Sequence, residues 1–153
     1  MHTWFECKIQ YEKTMENGMN KKVTEPYLVD ALSFTEAEAR IIEEMTPFIS
    51  GEFTVSDIKR ARYSELFFAE DTESDRWFKC KLTFITLDEK SGSEKKTSTN
   101  VLVQASDLRD AVKKLDEGMK GSMADYIISS MAETPIMDVY PYNAEPNDKP
   151  EFP

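Results

Sequence analysis

One stretch of sequence that occurs twice decides the fold of this chain: WFECKIQY at residues 4–11 and WFKCKLTF at residues 77–84. Tryptophan and cysteine are rare residues, so a match of Trp, Phe, Cys and Lys in one order is not expected by chance. Apolar and polar residues alternate along both copies, which is typical of a β-strand with one buried face. We therefore interpret the chain as a tandem duplication.

The similarity of the copies continues beyond these strands, with one extra residue in the second copy. The matched positions include Lys21-Lys22 with Lys95-Lys96, Leu28-Val29 with Leu102-Val103, Ala31 with Ala105, and Ala37 with Ala111. Asn17-Gly18 and Ser91-Gly92 are typical of hairpin turns. Each copy is thus predicted to run strand, hairpin, strand, helix, strand.

The predicted helices have capping residues and an apolar stripe. Ser33 and Glu36 form a capping box, and Asp107 occupies the same place in the second copy. The stripes are Phe34, Ala37, Ile41 and Met45, and Leu108, Ala111 and Leu115. The first helix should end near Pro47. The remaining predicted strands are Val23–Ala31, of which Pro26 would place part at an edge, Phe53–Tyr63, and one or two strands over Tyr126–Tyr140, interrupted by Pro135.

These elements predict an α+β fold. The first repeat spans residues 1–70, an acidic linker spans 71–76, and the second repeat spans 77–142. Residues 143–153 form a Pro-rich, polar tail that is expected to be disordered. A repeat of about 70 residues buries a modest core. We therefore expect the two sheets and two helices to pack into one compact pseudo-twofold protein.

The chain of 153 residues carries a net charge of −10. Residues 77–142 are nearly neutral, with nine basic and ten acidic residues, and no segment of the chain is basic. Such a charge disfavours binding to nucleic acid and anionic membranes. No window has the roughly 18 uncharged apolar residues of a membrane span. With two cysteines and no secretion signal, we expect a cytoplasmic protein with reduced thiols.

Few residues could carry catalysis. His2 is the one histidine, so a Ser-His-Asp triad and multi-histidine metal sites are excluded, and no glycine-rich phosphate loop is present. We expect no cofactor. Cys7 and Cys80 lie on the apolar sides of their strands and are interpreted as buried packing residues, although the two thiols could lie near each other. The carboxylate pairs Glu43-Glu44 and Asp116-Glu117 are interpreted as solvated helix faces rather than a metal site.

The candidate binding residues are aromatic and basic. If Phe5 and Cys7 face the core, Trp4 and Lys8 project from the opposite side. Trp77 and Lys81 do the same in the second copy, and the pairs Lys21-Lys22 and Lys95-Lys96 lie near the hairpins. An indole beside a lysine could stack on a base and pair with a phosphate, or anchor a protein partner. Alternatively, each indole covers the end of its sheet or packs between the copies, and the lysine pairs keep the hairpins soluble.

Nearly the whole chain, from residue 1 to 142, resembles a protein family of Bacteroidetes bacteria that is described as a domain of unknown function. The resemblance rests on the segments WFECK, VTEPYLVDA and SFTEAEAR, at residues 4–8, 23–31 and 33–40. It implies a bacterial cytoplasmic or phage-derived setting.

We expect a non-enzymatic interaction module, an accessory or regulatory protein of a bacterial or phage system that binds a protein partner. RNA or single-stranded DNA binding through the Trp/Lys faces is the alternative, which the net charge disfavours. An enzyme built on carboxylates and a divalent metal has the least support. The sequence leaves the oligomeric state open.

Overall fold

The computed structural model describes residues 3–122 and 125–141. This part of the chain holds two helices and two mixed four-stranded sheets, so the predicted α+β class is confirmed. The elements, in chain order, are β1 (Trp4–Thr14), β2 (Asn20–Asp30), α1 (Phe34–Met45), β3 (Phe53–Ala61), β4 (Glu65–Phe67), β5 (Arg76–Leu87), β6 (Glu94–Ala105), α2 (Leu108–Gly118), β7 (Tyr126–Glu133) and β8 (Val139–Tyr140). His2 and the tail at 143–153 lie outside the described residues.

The described residues divide into two compact units. Unit 1 comprises residues 3–61 and 136–141, and its sheet has the strand order β3-β1-β2-β8. Unit 2 comprises the described residues from 62 to 135, and its sheet has the order β4-β6-β5-β7. Neighbouring strands are antiparallel except the pairs β2–β8 and β4–β6, which are parallel. Apart from the short strands β8 and β4, both units have the element order strand, strand, helix, strand. Duplication about a twofold axis stays a prediction.

The pairing of the short strands β4 and β8 determines where the boundaries between the units lie. β4 follows β3 along the chain but pairs with β6, and β8 follows β7 but pairs with β2. The compact units therefore change at residues 61/62 and 135/136, whereas the proposed repeats change at the segment 71–76. That segment is built into unit 2, because Ser74 is buried and Arg76 begins β5.

The core of unit 1 lies between its sheet and α1. The buried apolar residues of β1 meet those of α1, and the cluster consists of Phe5, Cys7, Ile9, Val29, Ala31, Ala37, Ile41 and Met45. Phe34, predicted to belong to the buried stripe, is 54% exposed and meets the Phe5 ring edge-on, with the ring centroids 4.9 Å apart. Position 34 is the first residue of α1, so its ring covers the end of the core and stays half exposed.

The caps and turns of unit 1 agree with the sequence. The Ser33 side chain accepts a hydrogen bond from the Glu36 amide (3.1 Å), and α1 ends at Met45, before Pro47. The Glu36 carboxylate accepts from the amide of Leu32 at 2.7 Å, one residue before the cap. Gly18, with φ at 82°, supplies the left-handed conformation of the predicted hairpin turn.

Pro26 lies inside the sheet order rather than at an outer strand, and the hydrogen-bond register explains why it is tolerated. The Ala31 amide donates to the Thr3 carbonyl, so these two residues form a hydrogen-bonded pair. From this pair onward, hydrogen-bonded and non-hydrogen-bonded pairs alternate along β1 and β2. Pro26 opposite Lys8 is then a non-hydrogen-bonded pair, and its missing N–H points away from β1. On that side Pro26 uses only its carbonyl, which accepts from the Met137 amide at 2.8 Å, and β8 then pairs with β2 at Leu28 and Val29.

Unit 2 is built in the same way around α2. Its core cluster contains Phe78, Cys80, Leu82, Val101, Val103, Ala105, Ala111 and Leu115. Asp107 caps α2 by accepting from the Asp110 amide at 2.8 Å, as predicted. Leu108, like Phe34, is half exposed at the start of its helix. The predicted turn at Ser91-Gly92 is present, and Pro135 separates β7 from β8.

Candidate functional site

The two indoles are buried. Trp4 is 4% exposed and Trp77 is 2% exposed, and neither belongs to the core cluster beside the helix of its unit. The Trp77 ring meets the Phe68 ring edge-on, with the centroids 5.3 Å apart, and the Thr134 amide donates to the Trp77 carbonyl at 2.8 Å. The rings project away from the helix, as predicted, but neither lies open for stacking on a base.

The strand register separates the predicted lysines into two groups. We call the side of each sheet that points away from its helix the far face. Lys22 lies opposite Glu12 and therefore shares the far face of unit 1 with Lys8. Lys96 lies opposite Ile85 and shares the far face of unit 2 with Lys81. Their neighbours Lys21 and Lys95 point to the helix side, because successive residues of a strand alternate.

Three exposed lysines, Lys79, Lys81 and Lys96, lie on the far face of unit 2, and Glu94 shares this face two residues from Lys96 on β6. Lys79 and Lys81 are two residues apart on β5, which corresponds to about 7 Å. Lys96 on β6 lies opposite Ile85, which follows Lys81 by four residues on β5. Lys96 is therefore about 13 Å farther along the sheet than Lys81. Cys80, between the first two, points the other way into the core.

A cavity of about 420 Å³ lies on this face. The described residues that line it are Lys79, Lys81, Ser98, Thr99, Asn100, Ser130 and Ala132, and none of them is acidic. Below Lys81 on β5, the Thr83 hydroxyl lies 3.2 Å from the Ser98 hydroxyl and 2.6 Å from the Ser129 hydroxyl. Thr83 is 8% exposed whereas Ser98 and Ser129 are exposed, so this hydroxyl chain joins β6, β5 and β7 at the surface of the sheet. The cavity therefore combines two ammonium groups with hydroxyl and amide groups.

The far face of unit 1 has no such excess of positive charge. Lys8 lies beside Asp57, Lys59 lies beside Glu6, and Lys22 lies beside Glu12. Each lysine in these pairs therefore has a carboxylate neighbour on an adjacent strand.

The difference follows from three positions at which the copies diverge. By the strand registers, Glu6, Glu12 and Asp57 of unit 1 correspond to Lys79, Ile85 and Ser130 of unit 2. These changes remove three carboxylates from the far face of unit 2. The number of lysines stays the same, because Lys79 replaces Glu6 while Ala132 replaces Lys59, and one carboxylate is added where Glu94 replaces Asn20. Sequence reasoning missed Lys79 because it searched for residues that both copies share, whereas the signal is the position at which they differ.

Lys114 forms a second cationic group, but carboxylates neutralise it. Its Nζ donates to one carboxylate oxygen each of Asp71 and Asp110, both at 2.7 Å, and also to the Ser74 hydroxyl. The hydrogen bond from Lys114 lowers the pKa of Asp110 to about 2 and also lowers the pKa of Asp71. A cavity of about 560 Å³ adjoins Lys114 and the Phe67 ring. This group fastens the chain that follows β4 rather than offering a free charge.

Arg40 has the corresponding role in unit 1. It occupies the same position of α1 as Lys114 does of α2, the seventh residue of each helix. Its guanidinium donates to the carbonyls of Asp30 and Pro141, the latter at 3.2 Å, and so holds the chain that follows β8. Each helix thus carries one cation that fixes a parallel edge strand.

The thiols and carboxylates offer little reactive chemistry. Cys7 and Cys80 are free and fully buried, and burial raises the pKa of the Cys7 thiol to about 12 and that of Cys80 to about 11. Within residues 3–122 and 125–141, no three His, Cys, Asp or Glu side chains are grouped as a metal site. Asp116 of the predicted carboxylate pairs instead accepts a hydrogen bond from the Tyr126 hydroxyl at 3.0 Å.

The comparisons with known proteins show the family but no function. Among the described residues, neither helix has the length and apolar content to cross a membrane. No curated protein and no solved structure shows significant similarity to the chain. A Bacteroidetes origin stays a prediction. The model of one family, described as a domain of unknown function (DUF4494), matches residues 3–142, so the chain belongs to this family.

Proposed function

We propose that this protein is a non-enzymatic binding module that holds an acidic segment of a partner protein on the far face of unit 2. One observation carries the proposal: Lys79, Lys81 and Lys96 share an exposed sheet face whose cavity has no acidic lining residue among those described. In a chain with a net charge of −10, such a face is where a carboxylate-bearing ligand meets attraction rather than repulsion.

The chemistry of the cavity fits carboxylates. Ammonium groups form charge-assisted hydrogen bonds with carboxylates, and the Ser98 and Ser130 hydroxyls and the Asn100 amide can donate to further oxygens. The hydroxyl chain through Thr83 connects the three strands beside the cavity. The binding groups therefore stand on strands rather than on loops, which favours a preorganised site.

An acidic protein segment fits this face better than RNA or single-stranded DNA does. Recognition of single strands depends on exposed aromatic rings, and Trp77, the aromatic residue of β5 on this side, is 2% exposed. The Debye length at physiological salt is about 8 Å, so a short acidic segment feels mainly the local lysines. A long polyanion also meets the negative charge of the rest of the protein. The accessory or regulatory role in a bacterial or phage cytoplasm is part of this proposal.

The test compares charge reversal on the two sides of the sheets. Lys79→Glu with Lys81→Glu changes the far face, and Lys21→Glu with Lys95→Glu makes the same change in net charge on the helix sides. The probes are a fluorescent peptide rich in glutamate and a fluorescent single-stranded oligonucleotide, titrated at several salt concentrations. An exposed ion pair contributes about 0.2–1 kcal/mol, so reversing two charges should weaken peptide binding about tenfold or more.

We expect the first double variant to lose peptide binding and the second to keep most of it, with both remaining folded by circular dichroism. Equal loss in the two variants would show that net charge, not this face, controls binding. Binding of the oligonucleotide but not of the peptide, with a steep decrease on added salt, would support the nucleic-acid alternative instead.

A further inference from the structure

The open edge of β7 differs from the other sheet edges in the described part of the chain. An edge strand exposes unpaired backbone groups, and proteins protect such edges by short length, charged residues or proline. β4 and β8 have three and two residues, and β3 carries Asp57, Lys59 and Arg60. β7 has eight residues (YIISSMAE), with no lysine, arginine or proline, and its one charged residue is Glu133 at the end. A single bulge at Ser129 interrupts its register with β5.

The hydrogen-bond register shows which backbone groups of β7 point outward. The Thr134 amide donates to the Trp77 carbonyl, so these two residues form a hydrogen-bonded pair. Pairs alternate along an antiparallel ladder, so Ala132 and Ser130 direct their backbone groups to β5. The N–H and C=O groups of Met131 and Glu133 therefore point outward. No strand within residues 3–122 and 125–141 pairs with them.

Two of the three lysines, Lys79 and Lys81, lie on β5 beside this edge, whereas Lys96 lies on β6. Lys79 is opposite Ala132 and Lys81 is opposite Ser130, so two small side chains separate the ammonium groups from the edge. A strand added to β7 would lie about 10 Å from β5. A lysine side chain on β5 and a glutamate side chain on the added strand together span this distance. On the other side of the sheet, Met131 and Ile128 pack against the core and would adjoin alternate side chains of the added strand.

We propose that the partner segment binds in an extended conformation as a fifth strand of this sheet, paired with β7. Its acidic residues occupy every second position and reach Lys79 and Lys81, and the residues between them are apolar and lie beside Met131. This mode of binding rests on the proposed function and specifies it further. Backbone hydrogen bonds supply affinity in strand addition, and alternate side chains supply specificity. A second copy of this chain fits less well, since β7 itself carries no carboxylate between Tyr126 and Glu133.

The probe is a blocked octapeptide in which glutamate and valine alternate, with a glutamine–valine peptide as the uncharged control. Two further versions carry backbone N-methyl groups, either on all valines or on all glutamates. Valine amides face β7 if the added strand is antiparallel, and glutamate amides face it if the strand is parallel. We expect one methylated peptide to bind at least tenfold more weakly than the parent, and the other to bind nearly as well.

Amide hydrogen exchange supplies the second measurement. The outward amide of Met131 should exchange fast in the free protein and slow at least tenfold when the glutamate–valine peptide binds. The amides of Ser130 and Ala132, already paired with β5, should change little and serve as internal controls.

The outcomes separate the two proposals. Peptide binding that depends on Lys79 and Lys81 but responds equally to both methylation patterns would overturn strand addition and leave the proposed function standing. No binding of the glutamate–valine peptide, or equal binding of the glutamine–valine peptide, would overturn both. Slow exchange at Met131 without peptide, together with a dimer in sedimentation, would show that a second copy covers the edge and would overturn the acidic segment as its occupant.

Discussion

The last residue of α2, Gly118, is in contact with the ring of Phe67 on β4. A Cβ atom added at Gly118 would lie 2.6 Å and 2.7 Å from Cδ1 and Cε1 of that ring, closer than side-chain atoms approach each other. The helical backbone at Gly118 does not have a positive φ, so alanine is sterically excluded by the ring and not by the backbone. Gly118→Ala therefore tests whether β4 is packed on α2 as described.

Two opposing effects determine how much Gly118→Ala changes the free energy of unfolding. Replacing glycine by alanine in a helix stabilises it by at most about 1 kcal/mol. Overpacking of a filled site costs about 1–3 kcal/mol. We expect a net decrease of about 1 kcal/mol in the free energy of unfolding of Gly118→Ala, which lowers Tm by about 2–4 °C for a chain of this size. Displacement of the ring should also speed amide exchange in the β4–β6 ladder, where Phe67 lies opposite Val103.

The assay is urea unfolding of four proteins: the wild type, Gly118→Ala, Phe67→Ala and the double variant. Once the Phe67 ring is removed, the cost of overpacking disappears, and the gain from replacing glycine by alanine in the helix remains. Gly118→Ala should then be neutral or stabilising in the Phe67→Ala background, so the sign of its effect reverses. Stabilisation by Gly118→Ala in the presence of Phe67 would refute the packing of β4 on the end of α2.

Three other outcomes follow from the buried and capping groups. Burial raises the pKa of the Cys7 thiol from 9.0 to about 12 and that of Cys80 to about 11. The free energy of unfolding should therefore fall as the pH rises above 9. A thiol reagent at pH 8 should modify both cysteines only when the protein unfolds. The hydrogen bond from Lys114 lowers the pKa of Asp110 from 3.8 to about 2. The ionised Asp110 therefore stabilises the fold fully above pH 3.8, and this stabilisation is lost as the pH falls through about 2. Lys114→Met should flatten this part of an acid titration followed by circular dichroism. Asp107→Ala should cost about 1 kcal/mol in urea unfolding, whereas Asp107→Ser should cost much less.

Much of the fold was predictable because it depends on local periodicity. Alternation in the repeated stretch gave β1 and β5, the glycines at 18 and 92 gave the hairpins, and Ser33 and Asp107 gave the helix starts. Each of these signals acts over a few residues, where sterics and hydrogen bonding to the local backbone dominate. The exposure of Phe34 was missed because a helical stripe does not tell which of its residues lie at the end of the core.

The pairing of the short strands could not be predicted from the chain, although a second strand after Pro135 was one of the predicted alternatives. β4 and β8 have two or three residues, too few for a periodic pattern, and each is held by long-range contacts: parallel pairing to β6 or β2, and the cation Lys114 or Arg40. Their sequence neighbours β3 and β7 belong to the other sheets. Neither local propensity nor charge count carries information about such pairing, because it is decided by the packing of residues far apart in sequence.

The sequence alone determined that the chain forms strands and helices in the order β-β-α-β twice, because hydrophobic period and capping chemistry are properties of neighbouring residues. It also indicated that the thiols are packing residues. The tertiary structure alone decided where charge is concentrated: counting along the chain found no basic segment, but the strand register sorts the lysines by side and collects three of them on one face. It also decided that the indoles are buried, since exposure depends on what packs over a residue and not on the residue itself.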